Sequence, residues 1–243
     1  MIPKVIHYCW FGRGKMPELS IKCIDSWRKY MPDYEIKEWN EDNFDVNIIP
    51  YTSEAYKEKK YAFVSDYARF WILYNYGGVY FDTDVEVVRK FDEILERGPF
   101  MGCERTNLET GVITVAPGLG LSSYPHNLIY KEMLELYGNL SFYLSDGSMN
   151  LKTIVHYTTE VLEKYGLIPT LDIQEVCGNY IYPKDYFCPL FEGTPFTENT
   201  VSIHHYSGSW KSNKYKFKRK LIKFFPKFIV KGIVSIKALL RKL

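Results

Sequence analysis

Apolar residues along the chain fall into short runs broken by polar turns, and the spacing within each run predicts an element. Val5 to Trp10 reads as an opening strand, and Ser20 to Tyr30 as a helix bringing Ile21, Ile24 and Trp27 to one face. Tyr34 to Trp39 alternates as a second strand. Thr52 stands where it can cap a short helix through Lys60. Tyr61 to Tyr76 is mostly apolar and predicts a longer helix that stops at Gly77, a residue suited to the position after a helix end. Further strands are expected over Val79 to Phe81, Val85 to Val88, Met101 to Glu104, Val112 to Val115 and Val201 to Ile203, with helices over Asn127 to Tyr137 and Asn150 to Tyr165. Helix and strand alternate early and mix later, which points to an α/β, nucleotide-binding domain. In such sheets ligands sit beyond the carboxyl ends of the strands.

That is where the stretch Tyr76 to Val88 places two carboxylates, Asp82 and Asp84, one residue apart. A polar turn would look the same. Once the chain bends, however, carboxylates at i and i+2 reach one small volume, and hard oxygen donors suit Mg²⁺ or Mn²⁺ shared with substrate phosphates. The cation would neutralise a diphosphate leaving group. A haloacid-dehalogenase phosphatase also has two aspartates after an apolar strand, but Glu86 stands where that motif needs Thr or Val, and the motif is not on the first strand.

Three other places carry chemistry. Asp66 and Arg69 are three apart on one face of an otherwise apolar helix, where they form either an internal ion pair or a grip on the hydroxyls of a polar ligand. Trp10, at the end of the first strand and followed by Phe11 and Gly12, is either core or a platform for a nucleobase, with Gly12 letting the backbone approach. His204 and His205 open the stretch that ends at Trp210, and a histidine there can complete a metal shell.

Charge divides the chain. Residues 214–243 hold eleven Lys or Arg and no acid, whereas the other 213 residues hold 20 basic and 29 acidic groups. On a helical wheel Phe228, Ile229, Ile233, Ile236, Leu239, Leu240 and Leu243 share an arc, with Lys227, Lys231, Lys237, Arg241 and Lys242 mostly opposite. The pattern predicts a basic amphipathic helix at an anionic membrane surface, or docked on the domain or on a second subunit. The acidic body argues against nucleic acid as a partner. Five cysteines without a CxxC spacing argue against a disulfide framework and a zinc site. With no signal-peptide core and no long uncharged apolar run, the expected location is cytoplasmic, peripheral on the inner face of the cell membrane. The expected division is a domain over 1–213 and a tail over 214–243.

Taken together, Trp10, the block Ser65-Asp66-Tyr67-Ala68-Arg69, the block Tyr76-Gly77-Gly78-Val79-Tyr80-Phe81-Asp82-Thr83-Asp84 and the stretch His205 to Trp210 resemble the DXD glycosyltransferases of family 32. That group includes bacterial capsule and lipopolysaccharide sugar transferases and yeast initiating mannosyltransferases, and is related to the clostridial glucosylating toxins. The similarity spans residues 2 to 210. It implies a GT-A fold, a nucleotide-sugar donor, a divalent metal (Mn²⁺ or Mg²⁺) and retention of anomeric configuration. By the same resemblance Trp10 stacks the base, and Asp66 and Arg69 bind the donor sugar. Asp82 contacts ribose and sugar or the metal through water, Asp84 ligates the metal, and Ser209 and Trp210 close over the diphosphate. His205 takes the last metal-ligand position, with His204 its rival if the alignment slips by one.

UDP-galactose or UDP-glucose suits a compact chain of this kind better than GDP-mannose. No residue offers itself as a nucleophile on the opposite face of the sugar, so front-face attack by the acceptor hydroxyl is expected. The acceptor would be an oligosaccharide or polyprenyl-linked glycan of capsular or surface polysaccharide, with acceptor-facing loops between Ala116 and Asn127. The competing reading is a non-catalytic, membrane-associated module that binds nucleotide sugar or glycan.

Overall fold

In the computed structural model, which describes residues 1–189 and 191–208, the alternation of apolar residues along the strands divides the core in two. Strand β1 (Val5–Cys9) pairs in parallel with β2 (Glu35–Trp39) and with β3 (Gly78–Tyr80). The sheet continues antiparallel through β7 (Leu121–Ser123) to β5 (Phe100–Asn107), which carries β6 (Val112–Val115) as a hairpin partner. It ends with β9 (Asn179–Tyr182), parallel to β5, and β8 (Gln174–Val176). Val79 and Phe81 pack in one cluster with Trp27, Phe91, Phe100 and Phe187, while Tyr80 packs in the other with Phe70, Tyr130 and Tyr137. A period of two has sent neighbouring side chains to opposite faces.

Six α-helices flank these layers among the described residues: α1 (Glu18–Tyr30), α2 (Pro50–Lys57), α3 (Tyr61–Tyr76), α4 (Asp92–Arg97), α5 (Leu128–Gly138) and α6 (Ile154–Lys164). Strands β4 (Val85–Val87) and β10 (Ser202–His204) form a separate antiparallel ribbon that packs on α1. All of these elements lie in one compact unit, Met1–Tyr206. The α/β architecture agrees with expectation.

Helix α3 has the bounds the sequence predicts, and Gly77 ends it at φ 65°. A Cβ there would stand 2.9 Å from the Ser123 carbonyl, so the position admits glycine on two counts. Two local expectations are corrected. Ile21 is exposed, and the buried face of α1 is Ser20, Cys23, Ile24 and Trp27. Thr52 does not cap α2; Pro50 opens that helix after Ile49, and Thr52 is buried in its first turn with its hydroxyl donating to the Ile49 carbonyl at 3.0 Å. Serine and cysteine are small enough to let α1 approach β4, and proline at the first helical turn gives up no hydrogen bond.

Candidate active site

The same alternation that sorts the core aims the acidic pair. Tyr80 and Asp82 point towards α3, where the buried Arg69 waits. Its guanidinium lies 3.0 Å from Asp66 and 3.2 Å from Asp82, and its Nε donates to the Ser65 carbonyl at 3.1 Å. The Arg69 head also stands 4.9 Å from the centre of the Tyr80 ring, and the Tyr80 hydroxyl donates to Asp82 at 3.3 Å. Burial pushes the Asp66 carboxyl up to about 7, against the pull of Arg69 and with a push from Asp82. Burial likewise raises Asp82; Arg69 opposes it and Asp84 adds to it.

After Asp82 the chain turns, with the Val85 amide donating to the Asp82 carbonyl at 3.0 Å, and enters β4. Here β10 pairs His204 with Val85, and the His205 amide donates to the Asp84 carbonyl at 2.9 Å. His204 Nε2 thereby comes to 3.0 Å from Asp84 Oδ1, both side chains mostly buried. Donor atoms of Asp82, Asp84 and His204 all lie within 4.8 Å of one another. Burial alone would lower the His204 pKa, but Asp84, Asp82 and Glu104 outweigh it and the net shift is upward. The edge of His204 meets the Tyr206 ring at 4.1 Å, and the Tyr206 hydroxyl donates to Glu104.

His205 does not join this group, contrary to expectation. Consecutive residues on an extended strand face opposite ways, so its imidazole turns to Glu86 at 2.8 Å, and Lys22 holds the other Glu86 oxygen at 3.1 Å. The histidine gathered with the two aspartates is its neighbour His204.

Two carboxylates and an imidazole are donors that Mn²⁺ or Mg²⁺ accepts. The electrostatics fit as well. Beyond the effect of burial, Asp84 raises Asp82, and both carboxylates draw a proton onto His204; a divalent cation among the three would relieve that crowding of negative charge. Buried His204 Nδ1 has no hydrogen-bond partner among the described residues.

Trp10 lies half-buried just past β1, its indole donating to the Gly14 carbonyl at 2.7 Å. Gly12 meets protein here: at φ 92° its backbone lies against Tyr61, where a Cβ would stand 2.2 Å from the ring, and its amide donates to Glu41 at 2.6 Å. Ser209 and Trp210 lie outside the described residues, as do residues 214–243. Sequence reading missed Tyr80 as a partner of Asp82, and it assigned Gly118 to an acceptor-facing loop, whereas a Cβ there would stand 2.5 Å from Asp82 Oδ2. Only the adjacency of Tyr80 to the acidic pair could have signalled the first.

Comparison with known proteins bears on this arrangement. The family model for the glycosyltransferase sugar-binding region containing the DXD motif matches residues 17–101. An uncharacterized glycosyltransferase of Acanthamoeba polyphaga mimivirus is 28% identical over 226 residues, 86% of this chain and 84% of the viral one. Inositol phosphoceramide mannosyltransferase 3 of Schizosaccharomyces pombe is 34% identical over 98 residues, 39% of this chain; the match spans only 27% of the yeast protein. Among solved structures, a glycosyltransferase involved in the glycosylation of the major capsid of PBCV-1 superposes with a TM-score of 0.50 at 11% identity, over 89% of this chain and 98% of that one. This likeness is one of fold.

Proposed function

We propose that the chain, similar to the DXD glycosyltransferases, transfers a hexose from a nucleotide-sugar donor to a glycan acceptor, with a divalent cation held by Asp82, Asp84 and His204. The observation that carries this reading is the meeting of those three side chains at the carboxyl edge of the sheet, next to the buried Arg69–Asp66 pair. When bound, the cation supplies charge neutralisation for the departing diphosphate. Arg69 and Asp66 offer a donor and an acceptor to sugar hydroxyls, which fixes the pose of the ring. Tyr80 and Arg69 hold Asp82 in place, and Trp10 stacks the base from the edge of β1.

Transfer with retention, by front-face attack of the acceptor hydroxyl, is part of the proposal. So is an acceptor glycan of surface polysaccharide, carried on a lipid at the cytoplasmic face of the membrane. Residues 214–243 bring the enzyme there by their eleven basic groups, each contributing about 1 kcal/mol near an anionic leaflet. Equal flotation with liposomes of the full chain and of a form ending at residue 213 would count against that attachment.

The test of the activity is hydrolysis and transfer across a panel of UDP-glucose, UDP-galactose and GDP-mannose, with and without Mn²⁺. Metal-dependent turnover of one donor, abolished in Asp84→Ala, is the expected result. Tight binding of a nucleotide sugar with no turnover on any acceptor would favour a binding module.

A further inference from the structure

Between β6 and β7 the chain makes a single 3₁₀ turn, Pro117–Leu119, that lies along the continuation of β3. Two glycines make that approach possible. At Gly120, φ 127°, a Cβ would stand 2.8 Å from the Phe81 ring; at Gly118 it would stand 2.5 Å from Asp82 Oδ2 and 3.7 Å from an Arg69 nitrogen. The turn has no room to retreat. Pro117 and Leu119 are buried, Leu119 packs in the cluster of Phe81 and Phe100, and the Ala116 amide donates to the Gly102 carbonyl at 2.9 Å.

We propose that Gly118 is a positioning residue for the donor site: its bare backbone is the wall against which the Asp82 carboxylate rests while Arg69 and Tyr80 hold it. Rotating Asp82 away from this wall would carry its oxygens off the guanidinium. A side chain at residue 118 forces that rotation, because the turn is fixed on its other side by buried neighbours. Gly118 does not lie at a positive φ, so alanine is tolerated by the backbone and its only conflict is with Asp82. The inference rests on the reading of Asp82 as a donor-site residue for its functional consequence, and on packing alone for its structural one.

Two measurements on the full chain test it. In a crystal structure of Gly118→Ala, the Pro117–Leu119 turn stays in place and the Asp82 carboxylate leaves Arg69; an unmoved Asp82 with a displaced turn overturns the proposal. Calorimetry with the nucleotide sugar found active in the donor panel gives the second readout. Gly118→Ala weakens binding about tenfold in the native background and has no further effect in Asp82→Ala, the non-additivity expected of residues acting through one contact. Equal weakening in both backgrounds overturns the proposal. Gly138→Ala, at the end of α5 with nothing within 4 Å of the added carbon, is the control. If the native protein binds no nucleotide sugar, the functional reading falls, and the position of Asp82 in the crystal still decides the role of Gly118.

Discussion

Two buried polar clusters lie at the two ends of β3, and they differ in how their charges and hydrogen bonds close. In the first, His7 on β1 accepts from the Trp39 indole at Nδ1 (3.0 Å) and donates from Nε2 to the Gly77 carbonyl (3.1 Å). Every polar hydrogen there meets one acceptor, and the imidazole is neutral: burial lowers its pKa to about 4, with Lys37 adding to the effect against the Gly77 bond. The second cluster gathers Asp66, Asp82 and Asp84 around Arg69 and His204, where burial and neighbouring carboxylates raise Asp66 and Asp82 and the Nδ1 of His204 has no hydrogen-bond partner among the described residues. A closed network stiffens the start of β3, whereas the one at its end keeps donor atoms to offer a ligand.

The largest expected effect breaks the second cluster. Asp84→Ala should reduce metal-dependent turnover about a thousand-fold, the several kcal/mol that charge stabilisation by a bound metal supplies. Arg69→Ala tests the opposite side of the charge balance. It leaves Asp66 and Asp82 buried without their cation, at a cost of about 3–5 kcal/mol in urea unfolding. Because the Asp66 carboxyl already lies at about 7, it takes up a proton in the variant, and the lower end of that range is expected at neutral pH.

Acid sharpens the contrast from the other cluster. His7 titrates at about 4 when folded and near 6.5 when unfolded, so between those values the unfolded chain binds more protons. Its contribution is therefore complete above pH 6.5 and lost as pH falls towards 4, by about 3 kcal/mol in all. The measurement is the difference between native and His7→Gln unfolding free energies from pH 7 to pH 4. A flat difference would mean that the imidazole is not held neutral.

The smallest effect separates two neighbouring histidines. The His205–Glu86 pair is partly exposed and costs at most about 1 kcal/mol to lose, so His205→Ala should raise the Mn²⁺ concentration for half-activity only a few-fold. His204→Ala should remove saturable Mn²⁺ dependence altogether. The reverse order would restore His205 to the metal group.

Local period carried much of this to the surface of the sequence. Helix α3 and strand β6 have the predicted bounds, because sixteen mostly apolar residues ending at glycine, or four β-branched ones in a row, need no distant partner to be recognised. Strands β8 and β9 went unrecognised; their three or four residues become strands only by pairing with each other and with β5. The site divides along the same line. Asp82, Asp84, Asp66 and Arg69 are legible as local spacings, and the structure brings all four together. Which of two adjacent histidines faces them is set by the register of β10 on β4, a contact across more than a hundred residues of chain. The place of Gly118 against Asp82 was hidden for the same reason, since the two are 36 positions apart.

The ribbon of β4 and β10 has a further consequence for the order of events during synthesis. Its first strand leaves the ribosome at residue 85 and its second only at residue 202, so a nascent chain carries both aspartates long before it can own the third donor. A polypeptide arrested short of that point could already stack much of its sheet, yet it would lack the imidazole that completes the trio. Translation must run past residue 204 before these three groups can act as one.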